Sequence, residues 1–170
     1  MKACIIQPYY SMDYKDLNDC ISKELSLMDL CDKSADIIVL PEYSDVLSVT
    51  PTGDAFIKAI ERYSPIIEEK VKRTAKRCHA IVFANYGYKT EKGYRNTTHI
   101  FDREGNEIGR YFKQHPAPSE INNVGIDTDY INEKQGVYTI DIEGIRFCFR
   151  TCYDFIFMKI LLKLRGKSRI

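Results

Sequence analysis

Asp36-Ile-Ile-Val-Leu40 is a nearly continuous aliphatic run that stops at Pro41-Glu42. A strand is apolar at successive positions only when both of its faces are covered, so this run requires a buried sheet flanked by other layers. Glu42 then stands at the carboxyl end of a central strand, where open α/β sheets hold their ligands. Acids in loops are mostly solvated. What sets Glu42 apart is that two other strands end in reactive side chains.

Around this strand the pattern alternates. Residues 2–7 read as a short buried strand closed by Pro8. Asp13 is placed to cap a helix over 14–33, with Leu17, Cys20, Ile21, Leu25, Met28 and Cys31 at spacings of three and four. Residues 53–63 read as helix, and Ser64-Pro65 reads as the start of a second helix running to Cys78. The Glu, Lys and Arg residues of that stretch form a solvated face. Ala80–Tyr86, Arg95–Phe101 and Glu107–Phe112 read as strands, with turn chemistry at residues 102–106. Residues 113–120 form a loop stiffened by two prolines, and 121–135 are polar and irregular. A hairpin around Glu143-Gly144 joins residues 136–142 to 145–150, the latter read as a buried strand. Helices alternating with strands early and hairpins later predict one α/β layered domain over residues 1–170.

Lys113 ends one strand and Cys152 follows another, in Arg150-Thr-Cys-Tyr-Asp154. The apolar run after Cys152 has helical character. A thiol at the start of a helix sits among unpaired N–H groups, which favours thiolate. A base, a cation and a thiol suffice for attack on a carbonyl or nitrile carbon: Glu42 as general base, Cys152 as nucleophile, Lys113 and the Tyr153 N–H at the oxyanion. Cys148 reads as strand packing, His79 as a surface residue, and His99 as packed. His115 lies near Lys113, in the same loop.

Composition excludes several alternatives. The chain has 170 residues, 25 basic against 24 acidic, so it lacks the basic footprint of a nucleic-acid binder. Six cysteines at 4, 20, 31, 78, 148 and 152 form no C-x-x-C pair, and with three histidines they offer no zinc spacing. The N-terminus lacks a signal-peptide run and no segment is long and apolar enough to span a bilayer, so a cytoplasmic protein with reduced thiols and no membrane partner is expected. There is no G-x-G-x-x-G or Walker-type loop to bind a nucleotide.

Taken together, Gln7-Pro8, Ile38-Val-Leu-Pro-Glu42, Asn96-Thr-Thr-His-Ile-Phe-Asp102, Gly109-Arg-Tyr-Phe-Lys113 and Arg150-Thr-Cys-Tyr-Asp154 resemble, in order, the motifs of the nitrilase superfamily of carbon–nitrogen hydrolases. The resemblance covers residues 2 to about 155. It implies an αββα sandwich, usually dimerised, so a homo-oligomer is expected. It implies hydrolysis of a small-molecule amide, carbamoyl group or nitrile through a cysteine thioester, without metal or cofactor. It places the catalytic Glu, Lys and Cys on Glu42, Lys113 and Cys152. A second family glutamate, which positions lysine and substrate, falls on Glu120, seven residues after Lys113. Family members continue well beyond the cysteine, whereas here a basic tail, 161–170, follows. The expectation is therefore a sandwich incomplete at its C-terminus. The alternative to an active hydrolase is an inactive fragment or interaction domain that keeps the family core.

Overall fold

The structure, a computed structural model, describes residues 1–129 and 138–157. The expected basic tail lies outside the described residues. Five strands form one sheet in the order of the chain: β1 (Ala3–Ile5), β2 (Ile37–Val39), β3 (Ile81–Thr90), β4 (Gly93–Phe101) and β5 (Glu107–Phe112). The first three are parallel and the last two antiparallel to their neighbours. The crossovers between the parallel strands carry the helices α1 (Leu17–Asp29) and α2 (Gly53–Cys78). A two-stranded sheet, β6 (Thr139–Ile142) and β7 (Ile145–Cys148), lies on the other face. Among the described residues the layers are helix, sheet, sheet, three of the four layers of the expected αββα sandwich.

Two cores result. Between helices and sheet, Ile21 and Met28 of α1 and Ile60, Ile67 and Val71 of α2 meet Ile38, Val82 and Phe101. Between the sheets, Ile81, Phe83, Ile100 and Tyr111 meet Ile142 and Phe149. Because side chains alternate along a strand, β3 feeds both: Val82, Ala84 and Tyr86 go to the helices, Ile81 and Phe83 to the second sheet. This is why Ile37–Leu40 is aliphatic throughout.

Several sequence expectations need correction. β1, expected as a buried strand, is an edge strand of the sheet, with Ala3 and Ile5 exposed, and Glu120–Val124, at the start of a stretch expected to be irregular, forms a π-helical turn. The helix begun by Asp13 opens as a 3-10 turn over Tyr14–Asp16 and ends at Asp29, four residues short of Lys33. The two helices expected to meet at Ser64-Pro65 are one: α2 runs unbroken, with Pro65 inside. The apolar stripe Ile60, Tyr63, Ile67, Val71 keeps its phase across the proline, and packing of that stripe outweighs the lost backbone bond. Ser64 caps nothing there; its hydroxyl donates to Asp45 Oδ2 at 2.6 Å. Residues 145–148 are not a buried strand, because among the described residues β7 pairs only with β6 and its outer face meets solvent. Phe147 and Phe149 pack edge-on against Phe83, and Cys148, on the alternate face, is exposed rather than packed. The hairpin turn is as expected: Glu143 and Gly144 take φ of 53° and 78°, the left-handed pair of a tight β-hairpin. His79 is exposed at the left-handed end of α2 and His99 is buried, as expected.

Candidate active site

Glu42 leaves the end of β2, and Tyr43 turns the chain with φ 52°. A tyrosine in the left-handed region is strained, and its backbone N–H is held there by Asn85 Oδ1 of β3 at 2.8 Å. Lys113 leaves the end of β5 one strand beyond β4. Its side chain is 1 % exposed and reaches back over the sheet end, donating to Glu42 Oε1 at 2.7 Å and Glu120 Oε2 at 2.6 Å. Burial alone would lower the lysine's affinity for its proton, but the two carboxylates reverse this and hold it above its ordinary value. Glu120 is opposed by burial, yet Lys113, Asn96, the Ala117 N–H and Tyr43 together hold its carboxyl below the usual range. The ammonium is therefore a fixed charge between two anions.

Asn96 of β4 completes the cluster. Its amide donates to Glu42 Oε1 and to Glu120 Oε1, both at 2.8 Å, while its carbonyl accepts from Asn85 at 2.8 Å. The Tyr43 hydroxyl donates to Glu120 Oε1 at 2.7 Å. Sequence reasoning assigned no role to either residue. Asn96 is fully buried, but Arg95 and Thr97 beside it on β4 are polar, so nothing in the local sequence marked it.

Cys152 comes from the other direction, after β7, at φ 47°. It opens a 3-10 helix described over Cys152–Phe157. The expectation that a helix end would favour thiolate is not met: the thiol is raised above its ordinary value. Burial contributes most, then the Glu42 carboxylate beside it, against smaller opposing effects of Lys113 and the Tyr153 N–H. Glu42 thus faces Lys113 on one side and the thiol on the other. Glu42 and Cys152 open on a cleft of about 320 Å³ that Phe83, Asn85, Thr98 and Phe147 also line, and Lys113, 1 % exposed, lies behind Glu42. Cys152 itself is exposed, and Tyr153 half-buried.

Under the loop that carries Glu42 lie two further acids. Asp45 is fully buried and accepts from Ser64 and from the Gly87 N–H at 2.8 Å. Glu24 of α1 is 0 % exposed, and neither of its carboxyl oxygens has a partner in strict hydrogen-bond geometry. Burial pushes its carboxyl up to about 8, with nearby Asp45 adding to the shift and Ser44 only partly offsetting it. Glu24 lies at helical spacing between Ile21 and Met28, so its place on the buried stripe could have been read from the sequence.

Among the described residues no group of three or more His, Cys, Asp or Glu side chains is arranged to hold a metal, and no helix is long and apolar enough to cross a membrane.

Solved structures share this fold. A carbon–nitrogen hydrolase from Helicobacter pylori G27 is 18% identical with a TM-score of 0.67, covering 91% of this chain and 52% of its own. An amidase variant from Nesterenkonia sp. AN1, shown after Michael addition of acrylamide at its active-site cysteine, is 13% identical with a TM-score of 0.61, covering 90% of this chain and 57% of its own. The NitFhit protein of C. elegans is 17% identical with a TM-score of 0.67, covering 96% of this chain and 40% of its own. This chain therefore spans about half the length of the structures it matches. No curated protein matches it. The model of the carbon–nitrogen hydrolase family matches residues 5–168, and the chain belongs to that family.

Proposed function

We propose that the chain, as a single domain over residues 1–170, hydrolyses a non-peptide carbon–nitrogen bond in a small amide, carbamoyl compound or nitrile. The observation that carries this reading is Glu42 lying between the buried Lys113 ammonium and the Cys152 thiol, with Glu42 and Cys152 on one cleft. For an amide, Glu42 takes the thiol proton as sulfur attacks the carbonyl carbon. The resting thiol is neutral, so base and nucleophile must act together. The negative oxygen of the tetrahedral intermediate meets the Lys113 ammonium and the Tyr153 N–H, each donor contributing on the order of 3 kcal/mol in comparable sites. The carbon–nitrogen bond breaks, and nitrogen leaves with the proton returned by Glu42. Water, deprotonated by Glu42, attacks the resulting thioester; the acid leaves and the thiol recovers its proton. Glu120 orients the lysine. Family membership and the amidase neighbours support hydrolysis of a carbon–nitrogen bond in general. The family's usual association into dimers supports a homo-oligomer.

The test is ammonia release from a panel of primary amides, carbamoyl compounds and nitriles, with Cys152→Ala as control. Turnover by the parent chain and none by the variant is expected. Folded protein that releases nothing from any of them contradicts the reading.

A second reading, a family core that associates with a partner without turnover, is favoured by the exposure of Cys152. Active sites of this chemistry exclude water from the reacting atoms. It predicts unaltered ammonia levels and a stable complex.

A further inference from the structure

Asp154 stands two residues after Cys152, and its side chain is 0 % exposed. Four hydrogen bonds from described residues converge on its carboxylate. Oδ1 accepts from the His115 backbone N–H at 2.7 Å and from His115 Nδ1 at 3.0 Å. Oδ2 accepts from the Tyr111 hydroxyl at 2.5 Å and from the Thr151 backbone N–H at 3.0 Å.

The positions of these donors are informative. Tyr111 and His115 flank Lys113, two residues before it and two after. β5 ends at Phe112 and the chain bends after Lys113, and through Tyr111 and His115 one carboxylate grips the lysine segment on both sides of the lysine. The remaining donor is Thr151, immediately before the nucleophile. The Asp154 backbone N–H also donates to the Thr151 carbonyl at 3.0 Å. Thr151 and Asp154 are thus doubly joined across Cys152, backbone to backbone and backbone to side chain. Cys152 needs such a brace. Its φ of 47° is unfavourable for a side chain with a Cβ, and persists only where surrounding contacts over-determine it.

We propose that Asp154 is a positioning residue that fixes the Cys152 turn to the Lys113 segment, and so sets the distance from the sulfur to Glu42 and Lys113. The inference rests on the hydrolase reading for its catalytic consequence, but the geometry it assigns is independent of turnover. Only a carboxylate serves here. Four donors need an acceptor-only group with two oxygens, whereas an asparagine amide turns its NH₂ towards two of them.

The test is Asp154→Asn, read by the pH dependence of iodoacetamide alkylation at Cys152, mapped by peptide mass, with exposed Cys148 as internal standard. In the parent chain the Cys152 thiol titrates above its ordinary value, because desolvation and the Glu42 carboxylate beside it both disfavour the thiolate. Released from the brace, it moves away from that carboxylate. The Cys152 profile therefore shifts to lower pH, towards the ordinary thiol value of about 8.5, while that of Cys148 stays in place. Where amide turnover is measurable, kcat falls about 100-fold, as expected for a displacement of about 1 Å, and KM changes little. A folded variant whose Cys152 profile superimposes on the parent's overturns the proposal. If the asparagine variant does not fold, Tyr111→Phe, which removes one donor and keeps the ring, gives a smaller shift in the same direction; a coincident profile there overturns it equally. A shifted profile in a chain that turns over no amide upholds the brace and contradicts the hydrolase reading.

Discussion

The Lys113 ammonium lies 2.7 Å from Glu42 Oε1, although 71 residues separate them in the chain. The contact joins the ends of β2 and β5, two strands that do not pair with one another. Lys113 has almost no exposed surface, so its removal leaves Glu42 and Glu120 facing each other with no cation between them. Breaking a buried ion pair from one side costs about 3–5 kcal/mol. Lys113→Ala is therefore expected to lower the melting temperature clearly and to abolish turnover. Thermal unfolding and ammonia release check both. A variant of parental stability contradicts the buried cluster.

Asn96 gives a sharper test of the same cluster. Asn96→Asp keeps the shape but replaces the NH₂ donated to both glutamates with a third carboxylate. The expected result is a loss of about 1–3 kcal/mol in chemical denaturation. Asn96→Asp is also expected to be least stable at high pH, where all three acids are charged, and to recover in part as the pH falls. Equal stability of variant and parent across pH contradicts the assignment.

Glu24 makes stability depend on pH. Its carboxyl is raised from 4.5 in the ordinary state to about 8 in the fold, so the folded chain holds a proton that the unfolded chain releases. The contribution of the neutral form is complete below pH 4.5 and is lost as pH rises to about 8. Glu24→Gln, neutral at every pH, is expected to lack this decline. Unfolding free energies of parent and variant between pH 5 and pH 8.5 should diverge, with the variant gaining on the parent as pH rises. Parallel curves contradict a buried neutral Glu24.

Gly105 closes the turn between β4 and β5 at φ 80°, and a Cβ added there would lie 2.5 Å from the Lys72 carbonyl oxygen of α2. Both backbone conformation and space exclude a side chain. Gly105→Ala is expected to cost more than about 1 kcal/mol in denaturant unfolding, against a near-neutral change for an alanine at exposed Ser22 or Lys23.

Much of this was legible in the sequence because it depends on local pattern. The aliphatic run at Ile37–Leu40, the spacing of Leu17, Ile21 and Met28, and the turn at Glu143-Gly144 each specify their own element. Glu42, Lys113 and Cys152 were readable as residues at strand ends. What was not legible depends on partners distant in sequence. Pro65 looked like a helix start because its local preference is for the first turn, and only the continuous stripe on the sheet overrides that. Cys152 looked activated by a helix end, yet the carboxylate beside it belongs to a residue 110 positions earlier. Nothing local marks Asp154, since two of its donors come from β5 and the loop beyond.

The central claim is that the Cys152 sulfur carries the acyl group during turnover. The most direct measurement is peptide mass analysis of the chain, acid-quenched while it hydrolyses a slowly released amide. The account predicts the acyl mass on the peptide containing Cys152, absent from the other five cysteines and absent altogether in Glu42→Gln. Ammonia release with Cys152 unmodified at every time point, or an acyl group on another cysteine, would contradict it.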